Sequence, residues 1–252
     1  MPNSWEAKSS WRSWADTPVR WGGPAVGIAV NNLVTFSSEP DVELLYAIPV
    51  FGLCAVGGVL LADLIAHPAA SGVRSAEVTP RRIRDHIPRG LTASLGIQAV
   101  ILTALLVVAV ATASTDTAGR AGRALSMSCR GQTQTTGPWP GAYYAWPVLG
   151  GLFIGTVVCA LVLRRITVRA ASDDQRRISS RATVGAWGLL VAAPLFAVSL
   201  TMAVALQSLT CGRWAENMTL GGLGLTAFVS ALTAGWTLGA LLLPQAHVRE
   251  QS

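Results

Sequence analysis

Five apolar runs, each close to the roughly 20 residues a helix needs to cross a bilayer, limit the folds open to this chain. They cover 44–66, 91–113, 144–163, 183–209 and 220–243; the first reads LLYAIPVFGLCAVGGVLLADLIA. In hydrocarbon no water reaches the backbone N–H and C=O groups, so each run must satisfy them internally, as a helix. The predicted fold is all-α: a polytopic transmembrane helical bundle of five spans over 44–243. A tail, 1–43, precedes it and a short tail, 244–252, follows it. Charge agrees, because 13% of the residues are Asp, Glu, Lys or Arg, about half the share found in soluble domains.

A sixth stretch, WGGPAVGIAVNNLVTF at 21–36, is mostly apolar but short, and it carries Pro24 and the amide pair Asn31–Asn32. Amides at mid-bilayer are costly unless protein covers them. The stretch reads as a short span, a re-entrant hairpin or a helix at the interface. Five spans with an exported N-terminus is the arrangement adopted. The first 20 residues lack the apolar core of a cleavable signal, so the first span is expected to direct insertion.

Arginines orient the bundle, since short arginine-rich loops stay in the cytoplasm. Loop 67–90 carries Arg74, Arg81, Arg82, Arg84 and Arg89, and loop 164–182 carries Arg164, Arg165, Arg169, Arg176, Arg177 and Arg181. The two other loops carry Arg120, Arg123, Arg130 and Arg213. The C-terminus then lies inside. Lys8 is the single lysine, and the abundance of Ala, Gly and Val suggests a GC-rich genome. The expected location is the plasma membrane of a bacterium. The net charge of +6 is spread between spans, which excludes a nucleic-acid surface.

The densest basic stretch, TPRRIRDHIPRG at 79–90, reads as a short amphipathic elbow. Thr79 suits an N-cap and Pro80 the first helical position. Ile83 and Ile87 share a face toward the membrane. Arg81, Arg82, Arg84, Asp85 and Arg89 form the candidate contact with anionic lipid headgroups or a cytoplasmic partner.

Cys54 and Cys159 fall within spans, whereas Cys129 and Cys211 fall in the two loops assigned to the outside. An exported compartment permits a disulfide, so Cys129–Cys211 is the candidate bridge. It would tie the long 114–143 loop, the first candidate for an external contact surface, to the short 210–219 loop. Tyr143, Tyr144, Trp146 and Trp187 are placed as headgroup anchors.

The search for chemistry returns no phosphate loop, no HExxH pair and no nucleophile elbow. His67, His86 and His247 are scattered, the cysteine spacings fit no zinc pattern, and Asp63 is the one ionisable residue inside a span. No cofactor or metal is expected. The spans instead hold small residues four apart, Gly151 with Gly155 and Gly235 with Gly239, the spacing that lets helices approach closely. Packing within the bundle is their default reading, and dimerisation or docking on another membrane subunit is the alternative. Gln98, Thr103, Ser199 and Gln207 are candidates for bonds between helices. The reading is a non-enzymatic accessory or structural subunit that works with other membrane chains. The alternative is a permease-like subunit of an ATP-driven exporter, and an enzyme at the outer face built on Asp116 and Ser126 ranks last.

Overall fold

A computed structural model describes residues 22–30, 32, 40–65, 89–129, 132–168, 173–209 and 214–242. Five long helices carry the fold: α2 (Pro40–Ile65), α3 (Arg89–Thr112), α4 (Ala142–Val168), α5 (Asp173–Gln207) and α6 (Trp214–Leu242). Each contains an apolar stretch long enough to cross a membrane. A short helix, α1 (22–30), precedes them. The protein is a multi-pass membrane helical bundle.

The helices outrun their apolar runs. α5 begins at Asp173, a run of polar residues before the apolar stretch, and α4 and α6 also start or end beyond the predicted limits. Hydropathy marks where hydrocarbon ends. A helix continues past that point, because its backbone bonds are equally good at headgroup level.

α5 is the hub, packing against α2, α3, α4 and α6. About 67% of its apolar stretch is buried, against 17% for α6. Two devices let backbones approach it. At the seam with α6, a methyl group built on Gly185 would lie 3.0 Å from the Thr237 carbonyl oxygen, and one on Gly188 would run into the Thr237 side chain. On the other side, Leu190 is a knob in a hole. It fills the space left by Gly52 of α2 and Gly155 of α4. Gly151 meets Pro49 and Leu53 of α2. Gly235 and Gly239 behave otherwise, with nothing within 4 Å of either. The α5–α6 seam uses the glycines of α5, and among the described residues none meets a methyl built on Gly235 or Gly239.

α1 lies against α2 and runs antiparallel to it. A methyl on Gly23 would sit 2.7 Å from the Cys54 carbonyl oxygen and 2.8 Å from the Gly58 Cα, and one on Gly27 would sit 2.9 Å from Phe51. Cys54 and Gly58 lie inside the Ala47–Leu64 apolar stretch. α1 therefore lies alongside the apolar stretch of α2. Close approach of two backbones without side chains between them, as at Gly23 and Gly58, is the usual membrane solution. Asn32 donates from Nδ2 to the Ile28 carbonyl at 2.9 Å, so part of the predicted amide cost is met within its own turn.

The long connection after α3 folds as a three-stranded antiparallel sheet in the order β1 (Ala113–Ser114), β2 (Ala124–Cys129), β3 (Gln132–Thr136). β2 reads ALSMSC, apolar and polar in alternation, which is the pattern of a half-buried strand. Leu125 and Met127 pack on the cluster of Leu102, Leu106, Val198, Met202 and Leu209 at this end of the bundle. The opposite side of the sheet carries a hydroxyl ladder, Ser114 to Ser126 at 2.8 Å and Ser126 to Thr135 at 3.0 Å.

Candidate functional site

The bundle has two chemically different ends. The sheet caps one. Trp139, in GPWPG just before α4, is 2% exposed and donates its indole N–H to the Ala109 carbonyl at 2.9 Å. It occupies the frayed end of α3, where carbonyls lack helical partners. The Arg123 guanidinium lies 3.9 Å above the Tyr143 ring, a cation–π contact that joins the sheet to the start of α4. A hydrogen bond between the Thr136 and Ser208 hydroxyls joins β3 to the end of α5. Asp116 closes the turn between β1 and β2, accepting from the Arg120 backbone N–H at 2.8 Å, the Ala118 N–H at 2.9 Å and Arg120 Nε at 2.8 Å. The Arg120 backbone bond, then its side chain, hold the Asp116 carboxyl below its ordinary range. Gly119, at φ 79°, supplies the left-handed residue of that turn.

Asp116 and Ser126, the groups considered for surface catalysis, are thus engaged in the turn and the ladder. Among the described residues no three His, Cys, Asp or Glu side chains converge on a metal-binding position. His67, His86 and His247 lie outside the described residues.

The other end bears arginine. Cys159 Sγ of α4 lies 4.0 Å from the Thr183 carbonyl of α5. Antiparallel helices rise equally per residue, so counting outward from that contact brings Arg165 level with Arg177, and Arg164 level with Ile178. The Gly188 position meets Leu95 of α3, and counting back from that contact puts Arg89, the first residue of α3, level with Ala182. The Gly52–Leu190 contact places Asp63 of α2 level with Ser179. Arg89, Arg164, Arg165, Arg176, Arg177 and Arg181 therefore occupy one layer that also holds Asp63. Arg164, Arg165 and Arg177 are exposed; Arg176 and Arg181 are half-buried.

Arg81, Arg82, Arg84 and Asp85, the candidate elbow, lie outside the described residues. So does Cys211, and Cys129 is described only as the last backbone position of β2. Cys54 and Cys159 are free thiols.

Two of the four expected anchors are something else. Tyr144 is buried against Ile48 and Ala197. Trp187 lies well inside α5 and donates to the Thr156 hydroxyl of α4 at 3.0 Å. The Trp187 indole thus finds its partner within the protein and does not need the headgroup level. Trp146, 72% exposed, faces outward. Of the scattered polar groups, Gln98 bonds to another helix, donating to the Thr233 hydroxyl of α6 at 2.8 Å. Thr103 and Ser199 bond back to carbonyls of their own helices.

The outward face of α6 was legible in the sequence only at Gly235 and Gly239. Gly221, Leu225, Phe228, Leu232, Gly235 and Gly239 recur at alternating steps of four and three, which lines them up along one edge of a helix. Leu225, Phe228 and Leu232 are each at least 60% exposed. Comparison with protein-family models, with curated proteins and with solved structures finds no match for the chain.

Proposed function

We propose that this protein is a non-enzymatic accessory subunit of a membrane complex, and that it docks on another membrane chain through the outward edge of α6. One observation carries the reading. α6 is the least buried of the five apolar helices, yet its apolar stretch is the least hydrophobic of them. A helix left to lipid tails has every reason to be the most apolar. An inverted order fits a helix whose outward face is covered by protein. The edge itself has the form of a helix–helix seam, large side chains in the middle and glycines toward both ends, where a second backbone can come close.

In this reading the arginine layer faces the cytoplasm of a bacterial cell, the sheet faces outward and the C-terminus lies inside. A Cys129–Cys211 disulfide would brace the cap. The Thr136–Ser208 contact brings one end of the β2–β3 pair to the end of α5, and Cys129, opposite Gln132, stands four positions along the same pair. Unchanged gel mobility of Cys129→Ser without reductant, with both thiols open to alkylation in the parent protein, would rule the bridge out.

The test of the main reading is a photoreactive residue at Phe228 in native membranes. The expected result is a cross-link to a second polypeptide that disappears with Gly235→Leu and Gly239→Leu, while the purified variant keeps its thermal transition. Cross-links to lipid alone would overturn it.

A further inference from the structure

We propose that the exposed arginines at the joined ends of α4 and α5 form a binding site for the phosphate of an anionic phospholipid. The site is Arg164 and Arg165 on α4 and Arg177 on α5.

Three observations converge on it. The first is level. The contact between Cys159 and Thr183 sets the two helices in a register that makes Arg165 and Arg177 coplanar. The second is rigidity. These arginines stand on continuous helix and not on loop, since α4 runs to Val168 and α5 starts at Asp173. Arg164 and Arg165 follow directly on the apolar residues of α4. Their side chains thus leave the backbone where hydrocarbon gives way to headgroups, the depth of a lipid phosphate. The third is charge. Among the described residues Arg164, Arg165 and Arg177 form no ion pair. Among the described side chains, Asp63 is the one acidic group in this layer, against three exposed arginines.

Orientation alone asks only for positive charge on one side of the bilayer. It does not ask that the charge be arginine, or that it be fixed in one plane on two packed helices. A guanidinium fork matches two phosphate oxygens at once, whereas a lysine offers a point charge. That difference is the basis of the test.

Arg164→Lys, Arg165→Lys and Arg177→Lys combined keep the charge, and hence the insertion signal. The measurement is thermal unfolding of the purified full chain in mild detergent, titrated with phosphatidylglycerol or with phosphatidylcholine. Retention of each lipid is followed in parallel by native mass spectrometry. The parent protein is expected to be stabilised by phosphatidylglycerol and to retain it preferentially. The lysine variant is expected to lose most of that preference, and the corresponding triple Gln variant all of it. Each cation near an anionic surface is worth roughly fivefold in binding, so the triple Gln variant should bind at least tenfold more weakly. Arg120→Gln, at the other end of the bundle, should change nothing. Equal stabilisation of parent and lysine variant would reduce the arginines to an orientation signal and overturn the proposal. So would equal stabilisation by phosphatidylcholine. If inorganic phosphate reproduced the shift, the site would be one for a soluble anion and the lipid assignment would fall.

Discussion

Gly188→Ala tests the account of how α6 is held. Two effects oppose each other. Replacing Gly by Ala inside a helix favours the helix by about 1 kcal/mol. A methyl group at this position also runs into the Thr237 side chain and comes within 3.2 Å of Leu95 Cδ1. Overfilling a packed core costs about 1–3 kcal/mol. The Leu95 contact is with the end of a flexible chain, which can move. Thr237 is β-branched and stiff at χ1, and its hydroxyl is held by the Thr233 carbonyl at 2.9 Å. The clash therefore wins, and the single variant should lose up to about 2 kcal/mol. Thr237→Ser removes the obstructing methyl while keeping the hydroxyl. In that background Gly188→Ala should be neutral or stabilising. The double-mutant cycle then yields a coupling of about 1–3 kcal/mol. Gly150, with nothing within 4 Å, is the control, and Gly150→Ala should only stabilise. The assay is reversible unfolding of the purified protein by titration with denaturing detergent. If Gly188→Ala has the same effect with and without Thr237→Ser, the described α5–α6 seam is wrong.

Three other outcomes are expected. Gln98 is buried, and its Oε1 has no hydrogen-bond partner. Gln98→Leu gives up the bond to Thr233 but also removes an orphaned acceptor, a burden of about 1–3 kcal/mol, so unfolding should show it neutral or stabilised; a loss above about 2 kcal/mol would contradict this balance. A fluorescent label on Val26→Cys should be quenched by lipids brominated deep in the acyl chain, because α1 lies beside Cys54 and Gly58; quenching confined to headgroup probes would place α1 at the surface. At the cap, Asp116 has a depressed pKa, so it stabilises its turn above its ordinary value of 3.8. That stabilisation is lost as pH falls further, through the depressed folded value. Amide exchange at Ala118 and Arg120 should speed up on such acidification, and Asp116→Asn should abolish the pH dependence.

The sequence made the bundle legible because hydrophobic length is read directly: no soluble fold needs five such runs. The helix ends were not legible, since Asp173 to Arg181 is polar helix that hydropathy treats as loop. Part of the cap was in plain sight. Leu125 and Met127 alternate with Ser126 and Ser128, a strand signal outweighed by the length of the surrounding connection and its glycines. Glycine spacing misled in both directions. Gly235 and Gly239 have the close-packing spacing and face outward, whereas Gly23 and Gly27 have the same spacing and do pack, beside a proline that drew attention first. Gly185 and Gly188 are three apart and form the α5–α6 seam. Spacing specifies a face of a helix, and only the neighbour decides whether that face is covered. Legibility of the arginine layer was partial for the same reason. The loop counts put these arginines together at one side, and the register that brings Arg165 level with Arg177 comes from contacts between helices.

The position of α5 has a consequence for biogenesis. Chains enter the membrane from the N-terminus onward, so α2, α3 and α4 arrive before the helix against which all three pack. Until residue 207 has been synthesised, Leu102 and Leu106 of α3 and Cys159 of α4 lack α5 as their neighbour. Gly52 and Gly155 line a hollow that waits for Leu190. Assembly is thus completed late: α2 and α4 can already pair where Gly151 meets Pro49 and Leu53, and α5 locks α2, α3 and α4 together as it arrives.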